Sequence, residues 1–311
     1  MTSVPGTEPI NERIAVKYTD LNDEDCSIAQ ALAVVGDWWT LLLIRDIVGG
    51  MNRFDGLQRA LGVSRKTLTD RLAMLVERGV LERRPYSAHP PRFEYHLTDS
   101  GHGLVPVLIA LQDWGGRFVL GDGTLTATCG PSSAVALRVH ALVGRRLPAL
   151  QLTSAAGERR DPVAPARWSV IFCFPGAYPP GGDGYPPGWA QIPGTTGCTL
   201  ESLTFRDRAE EFTGRGAQVH GVSTQRPDQL AAFSRHAQLP FALLSDEDLE
   251  LAAALRLPTF RAAGVERLKR LTLVVDGDRT IRATLYPITD PAGSVHDALE
   301  LIDSMAVPRP A

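Results

Sequence analysis

The chain has 311 residues, 44% of them hydrophobic, and a formal net charge of −3 at neutral pH. Because a domain typically holds about 100–200 residues, this length predicts two domains, each with its own core. The four scattered cysteines exclude a disulfide scaffold or a zinc knuckle, and the seven histidines lack ligand spacing, so no metal and no other cofactor is expected.

Residues 1–21 carry no periodic pattern and are expected to form an N-terminal arm. They are too polar for a signal peptide, and no apolar run in the chain approaches the length of a membrane span. The sequence therefore predicts a cytoplasmic protein that makes no contact with a membrane.

A helix-turn-helix followed by a hairpin is predicted downstream of this arm. Apolar residues recur at helical spacing from Cys26 to Val48, a short helix fits Phe54 to Leu61, and Ser64 is a good N-cap for a third helix. Two extended segments between residues 81 and 97 flank a Pro-rich tip. This order predicts a winged helix-turn-helix, mainly α with a β wing.

Basic side chains are concentrated on this predicted fold. Between Arg45 and Tyr95 there are ten Arg or Lys residues against six acids, so the segment has the charge to face phosphates. The third helix would enter the major groove, and the hairpin would contact the DNA backbone or minor groove. The predicted contacts to double-stranded DNA are Ser64, Arg65, Lys66, Thr67, Thr69 and Arg71 on the helix and Arg83, Arg84, His89 and Arg92 on the wing.

Several short motifs in this region resemble those of the HxlR-type transcriptional regulators. They are Gly-Asp-Trp-Trp-Thr at 36–40, Leu-Thr-Asp-Arg-Leu at 68–72, Pro-Arg-Phe-Glu-Tyr at 91–95 and Leu-Thr-Asp-Ser-Gly at 97–101. The resemblance covers roughly the segment from 22 to 120 and implies a homodimer whose terminal helices pair. It also implies that Cys26 is a candidate sensing cysteine.

The rest of the chain is organised differently. Residues 121–165 are rich in Gly, Pro and Ser, which is typical of a linker, and contain one predicted helix from Ala134 to Val143. From Trp168 onward strands and helices alternate, which predicts a thioredoxin-like α/β sandwich over residues 166–311. The predicted fold class is thus two-domain, a winged helix-turn-helix of residues 22–120 joined to this sandwich.

Cys198 lies where a loop of the second domain becomes a helix. Thr199 to Phe212 contains no Gly or Pro, and its apolar residues are spaced as one face of a helix requires. The unpaired amides and the dipole of such a helix start stabilise an anion, so a thiol there is expected to ionise below its usual pKa of about 8.5. The thiolate is the form that attacks oxidants.

Motifs around this cysteine resemble those of a peroxiredoxin of the bacterioferritin-comigratory or redoxin type. Matching stretches include Pro-Gly-Thr-Thr-Gly-Cys-Thr at 193–199 and Arg-Leu-Thr-Leu-Val-Val-Asp at 270–276. The resemblance covers roughly residues 166–305. It implies three catalytic positions: Cys198 as the peroxidatic cysteine, Thr195 as the hydroxyl that bonds the attacked oxygen, and Arg270 as the cation that holds the thiolate.

A partner for an oxidised Cys198 is not obvious from the sequence. Leu203 occupies the position at which this subgroup carries its resolving cysteine. A sulfenic acid at Cys198 would therefore be resolved by Cys173, Cys129 or Cys26, or by an external thiol reductant.

Three functions follow from the sequence. The leading hypothesis is a dimeric transcriptional regulator that senses peroxide, hypochlorite or a related oxidant through Cys198. The second is a thiol peroxidase of the one-cysteine type with an accessory DNA-binding domain. The third is an HxlR repressor that senses through Cys26.

Overall fold

Helices and one hairpin form the N-terminal half of the protein. The structure, a computed structural model, describes residues 26–181 and 184–306, so the arm predicted at residues 1–21 lies outside the described residues. The elements of this half are α1 (Ser27–Val35), α2 (Trp38–Val48), α3 (Phe54–Leu61), α4 (Arg65–Glu77), β1 (Leu81–Ala88), β2 (Pro91–Leu97), α5 (Asp99–His102), α6 (Val105–Trp114) and a π-helix (Gly115–Val119).

The first predicted helix is divided in two at Gly36 and Asp37. The Asp37 side chain accepts hydrogen bonds from the amides of Trp39 and Thr40, at 2.9 and 3.3 Å, and so caps a new helix. α1 and α2 are bent by 75°, which the periodicity did not reveal because both helices carry apolar residues at helical spacing. No single helix among the described residues is long and apolar enough to span a membrane; α1 and α2 taken together meet the criterion by length and composition alone.

The apolar faces of α2, α3 and α4 meet in the core of the N-terminal half. Leu57, Leu68 and Leu75 are each at most 1% exposed there. Gly62 makes the tight turn between α3 and α4 at a φ of 64°, in the left-handed region that favours glycine. β1 and β2 pair antiparallel as the wing. The predicted winged helix-turn-helix is confirmed.

A mixed seven-stranded sheet forms the C-terminal half. Its strands are β3 (Leu152–Ser154), β4 (Arg159–Arg160), β5 (Trp168–Cys173), β6 (Ala217–Ser223), β7 (Ala242–Ser245), β10 (Leu271–Asp276) and β11 (Ile281–Leu285), while β8 (Thr259–Ala262) and β9 (Val265–Leu268) pair separately as a hairpin. The helices are α7 (Ala134–His140), α8 (Cys198–Asp207), α9 (Ala209–Gly214), α10 (Pro227–Ala237), α11 (Glu250–Leu255) and α12 (Gly293–Ala306).

The sheet has the order β11-β10-β5-β6-β7-β3-β4 and is covered on both faces. β5, β6 and β7 are parallel, whereas β10 lies antiparallel to β5. Every residue of β5 is buried, and alternate residues enter two different apolar cores, Val170 and Phe172 one core and Ile171 and Cys173 the other. This arrangement confirms the predicted thioredoxin-like α/β sandwich.

The stretch expected to be a linker contributes to this sheet, which differs from the sequence expectation. α7 begins at Ala134 as predicted and ends at His140. β3 and β4, three and two residues long, lie within residues 121–165 and extend the sheet beyond β7. Strands this short do not show the alternation that identifies a strand in a sequence. The C-terminal sheet therefore includes residues before 166.

The two halves of the protein share an interface around α6. Val105 and Ile109 of α6 are buried in the same core as Cys173. Gln112 Nε2 donates a hydrogen bond to the carbonyl oxygen of Leu257 at 2.8 Å. In addition, Arg256 Nη2 lies 2.7 Å from Asp46 Oδ1 of α2, whose side chain is buried. Apolar packing and a partly buried ion pair together fix one half against the other.

Candidate functional site

Cys198 is the first residue of α8 and its side chain is buried. The preceding Gly197 has a φ of 93°, and a Cβ at this position would lie 2.7 Å from Cγ of Pro291. Only glycine fits such a turn without displacing its neighbour. The residue before Cys198 is therefore set by the turn that brings the thiol to the start of the helix.

Arg270, which precedes β10, binds the thiol and the loop beside it. Its Nη2 lies 3.2 Å from Cys198 Sγ and donates to the carbonyl oxygen of Thr196 at 2.8 Å. Its Nη1 pairs with Oε2 of Glu201, one turn along α8 from the cysteine. All three side chains are almost fully buried. One guanidinium thus faces two acidic groups, a thiol and a carboxyl, away from water.

Burial decides the protonation of these groups. It raises the pKa of the Cys198 thiol; Arg270 opposes this rise, and the negative charge of Glu201 adds to it. The pKa of Glu201 is itself raised to about 7, because burial outweighs the attraction of Arg270. The expectation of a lowered thiol pKa rested on the helix start and on the guanidinium of Arg270. It did not include the burial of the thiol or the neighbouring carboxylate.

The Thr195 hydroxyl lies within hydrogen-bonding distance of two backbone carbonyl groups. Oγ1 lies 2.6 Å from the carbonyl oxygen of Trp189 and 2.8 Å from that of Ile192. The carbonyl oxygen of Thr195, in contrast, accepts a hydrogen bond from Cys198 Sγ at 3.4 Å. The hydroxyl would have to turn away from the backbone to reach an oxygen bound near the sulfur.

An aromatic cleft opens beside the cysteine loop. It has a volume of about 440 Å³, and its walls include Tyr185, Trp189, Thr196 and Gly197. The rings of Tyr185 and Trp189 are 5.8 Å apart. Cys198 is only 1% exposed and does not line the cleft, so its sulfur is closed off from this space.

The other cysteines occupy three different environments, and all four thiols are free. Cys173 is fully buried in β5, in the core on the opposite face of the sheet from Cys198. Cys129 is half-buried and lies two residues after Ala127, whose amide donates to the carbonyl oxygen of Pro193 at 2.8 Å. Cys26 is half-buried at the N-cap of α1. The linker segment just before Cys129 is thus hydrogen-bonded to the loop that precedes Cys198, while Cys129 itself packs against the core that contains Cys173.

Sequence reasoning missed Glu201 as a member of this site. The signal was available, because three residues after Cys198 is one helical turn, which places both side chains on the same face. Trp189 was missed because its single-turn 3₁₀ helix lies within a Pro- and Gly-rich loop that shows no periodicity.

The predicted DNA-binding residues lie on α4 and on the wing. Ser64 caps α4, accepting from the amide of Thr67 at 3.1 Å. All of them except Thr67 and Arg71, which are half-buried, are exposed.

Four of the predicted arginines already have partners within the chain. Arg71 pairs with Asp37 and Arg84 with Glu82, each at 2.9 Å, and Arg83 stacks over Phe93. Arg65 makes the same kind of contact, with its guanidinium 4.9 Å from the centre of the Phe54 ring. Contacts of this kind at an exposed surface are weak, so DNA could displace them.

Family models match both halves of the chain. Residues 34–121 match the HxlR-like helix-turn-helix family, and residues 190–284 match the AhpC/TSA family. An uncharacterized HTH-type transcriptional regulator of Mycobacterium tuberculosis is 45% identical over 93 residues, which cover 30% of this chain and 59% of that relative. A second such regulator, from Methanothermobacter thermautotrophicus, is 33% identical over 99 residues that cover 31% of this chain and 76% of the relative.

Solved structures resemble the C-terminal half. The peroxidoxin BcpB of Mycobacterium tuberculosis is 24% identical with a TM-score of 0.45, over 53% of this chain and 98% of its own. Peroxiredoxin Q of Xanthomonas campestris is 25% identical with a TM-score of 0.41, over 51% of this chain and 92% of its own. The chain belongs to the HxlR-like helix-turn-helix family through its N-terminal half, to which it adds a peroxiredoxin-like domain of the AhpC/TSA family.

Proposed function

We propose that the protein is a DNA-binding regulator that senses a peroxide or hypochlorite through Cys198. The observation that carries this proposal is the contact between the cysteine loop and the linker. The carbonyl oxygen of Pro193 accepts from the amide of Ala127 at 2.8 Å, and Thr126 Oγ1 lies 3.3 Å from the same oxygen. The oxidisable thiol is thus one loop away from the segment that leads back to the winged helix.

The sensing step is a nucleophilic attack on the oxidant. For a peroxide, the Cys198 thiolate attacks one oxygen, a sulfur–oxygen bond forms and the oxygen–oxygen bond breaks. The sulfur is oxidised to sulfenic acid, and the departing hydroxide or alkoxide takes a proton from solvent. Arg270 stabilises the thiolate before the attack and the negative charge that develops on the leaving oxygen.

Oxidation then forces the site to open. The sulfur is packed between Arg270 and the carbonyl oxygen of Thr195, so an added oxygen has no free volume in the closed loop. Opening of the loop at Pro193 removes the acceptor of the Ala127 amide. The linker and the π-helix that precedes it would shift, and with them the orientation of the winged helix.

Cys129 is the resolving thiol that we favour. Cys173 is fully buried, and burial holds its pKa well above the usual range, so it is a poor nucleophile. Cys129 packs against the same core as Cys173 but is only half-buried, and it lies two residues after the amide that is hydrogen-bonded to the loop. Its thiolate would displace the hydroxide of the Cys198 sulfenic acid, with loss of water, to give a disulfide that an external thiol reductant restores.

Apolar side chains support the proposed homodimer. Ile28 and Trp38 near α1, and Val107, Leu111 and Trp114 on α6, are between 48% and 72% exposed. Exposed apolar surface of this extent is typical of a protein interface. A second copy of the chain is the partner that pairs these surfaces in the proposed regulator.

A cysteine map after oxidation tests the sensing chemistry. With one equivalent of hydrogen peroxide, mass spectrometry should find a disulfide between Cys198 and Cys129. The Cys129→Ser variant should instead accumulate sulfenic acid at Cys198. Modification of Cys26 with Cys198 left reduced would contradict the proposal and favour the HxlR repressor that senses through Cys26. Rapid, sustained peroxide consumption with a thiol reductant would favour the thiol peroxidase, for which the aromatic cleft offers a substrate site.

Replacing Arg65 with alanine should weaken DNA binding by about 10- to 100-fold, because a side-chain contact to a base edge contributes about 1–3 kcal/mol. The measurement is fluorescence anisotropy with a duplex selected by the wild-type protein from random sequences. Arg78→Ala is the matched control, since Arg78 is equally exposed but lies at the far end of α4. Equal losses in both variants would argue against α4 as the recognition helix.

A further inference from the structure

A second cavity lies where the two halves and the linker meet. Its volume is about 560 Å³. One wall comes from α6 and the π-helix, a second from the linker and α7, and a third from β8 and the residue before Arg270. The residues with polar side chains that line the cavity include Arg117, Thr128, Cys129, Arg138, Thr259 and Lys269.

Two partly buried cations line this cavity, Arg138 and Lys269, and of the two only Lys269 is attracted by a nearby carboxylate, that of Asp113. Neither Arg138 nor Lys269 forms an ion pair with a carboxylate of the described residues. Burial lowers the pKa of both side chains, which means that their charged forms are destabilised by the loss of water. A charge withdrawn from water is ordinarily matched by an opposite charge. These two side chains therefore point to an anion that enters from solution.

The other charged groups around the cavity leave this requirement in place. Arg117 adds a third cation, whose Nε donates to the carbonyl oxygen of Gly123 at 2.6 Å. Asp113 is half-buried: burial raises its pKa, and the nearby charges of Lys269 and Arg117 lower it, so these two cations share one carboxylate. Asp122 is exposed at the rim and accepts from the amide of Thr124 at 2.9 Å. The lining thus has one more cation than carboxylates.

Three residues that line the cavity carry a buried polar atom without a hydrogen-bond partner among the described residues. Thr259, which is 4% exposed, has no hydrogen-bond partner for Oγ1 among the described residues. The same holds for Oγ1 of Thr128 and Nε of Arg138. Because buried donors and acceptors in proteins are nearly always paired, three orphaned atoms around one cavity indicate a ligand that would satisfy them.

Apolar side chains complete the lining. Leu125, Val135, Pro258 and Phe260 are among the residues that line the cavity. We infer that this cavity binds a small organic acid, with its carboxylate on Arg138, Lys269 and Thr259 and an apolar body against these side chains.

The cavity is also connected to the cysteine site and to the winged helix. Lys269 Nζ lies 3.3 Å from the carbonyl oxygen of Thr128, and Lys269 is adjacent to Arg270 of the cysteine site. The opposite wall belongs to the π-helix that follows the winged helix. A bound acid would hold these segments together. It would therefore act as a second effector, independent of the oxidant that reacts with Cys198.

Isothermal titration calorimetry on the reduced full-length protein tests this inference. The probes are hexanoate and 2-naphthoate, with the neutral 2-naphthylmethanol as the matched control for charge. At least one carboxylate should bind with a Kd below about 1 mM, and the alcohol should bind at least about tenfold more weakly, because it leaves the cations unpaired. Bound carboxylate should also slow alkylation of Cys129, which lines the cavity.

Two variants locate the binding. Arg138→Met should weaken carboxylate binding about tenfold, and the nearly isosteric Thr259→Val should weaken it several-fold with the fold intact. Arg146→Met, an exposed arginine outside the lining, is the control. Absence of binding by both carboxylates, equal binding of the alcohol, or binding unchanged in Thr259→Val would overturn the inference.

Discussion

Replacing Arg270 with methionine should slow the reaction of Cys198 with hydrogen peroxide by about 100- to 1000-fold at neutral pH, as removal of one stabilising donor does in other active sites. Arg270 is the cation that touches Sγ, at 3.2 Å, and its attraction is the largest effect opposing the rise of the thiol pKa caused by burial. Without it, only the backbone hydrogen bond from Gly176 still lowers the pKa of Cys198 against the effect of burial, so the thiolate fraction falls. The reaction is followed by stopped-flow fluorescence of the tryptophans, of which Trp189 lies beside the loop.

Two comparisons distinguish this role from a structural one. Arg270→Lys keeps the charge but loses the planar fork that reaches Cys198, Thr196 and Glu201 together, so its rate should be intermediate. The ultraviolet absorbance of the thiolate, titrated against pH, should show a higher pKa for Cys198 in Arg270→Met. A wild-type rate and an unchanged thiol pKa in this variant would remove Arg270 from the chemistry.

Replacing Glu201 with glutamine should lower the pKa of Cys198 and raise its rate of oxidation at neutral pH. In the wild type the carboxylate competes with the thiolate for one guanidinium, and its charge raises the thiol pKa. Glutamine keeps the shape of the protonated carboxyl without the charge. The pH–rate profile should therefore shift to lower pH, measured by the same stopped-flow assay. A profile that shifts to higher pH would show that Glu201 acts chiefly by positioning Arg270.

The same substitution should change how stability depends on pH. The folded-state pKa of Glu201 is raised from 4.5 to about 7, so the folded protein binds this proton more tightly than the unfolded chain. The group's contribution to stability is fully present below pH 4.5 and is lost as pH rises to about 7. Glutamine cannot lose a proton, so the variant should gain stability relative to the wild type across that range in denaturant titrations. Glu210→Gln, on an exposed position of α9, should show no such gain.

Local patterns predicted the elements that depend on neighbours in the sequence. The Ser64 cap, the turn at Gly62 and the start of α8 at Cys198 each follow from a few adjacent residues, and the structure has them in place. The break at Asp37 was not predicted, because apolar residues recur at helical spacing on both sides of this helix cap.

Contacts between residues that are far apart in the sequence could not be predicted from local sequence patterns. Arg270 is 72 residues from Cys198, so its contact with the thiol followed only from family resemblance. The raised thiol pKa depends on burial, which is a property of the folded site and not of the helix start. Likewise, the contact between Ala127 and Pro193 joins a linker to a loop, and neither segment has a periodicity that would reveal it.

The most direct measurement of the central claim is DNA binding before and after oxidation. Anisotropy with the selected duplex should show at least about a tenfold change in Kd when the reduced wild-type protein receives one equivalent of hydrogen peroxide, a coupling of about 1.4 kcal/mol. Cys198→Ser should bind the same duplex with no response to peroxide, while Cys26→Ser should respond as the wild type does. A full response in Cys198→Ser would contradict sensing through this cysteine.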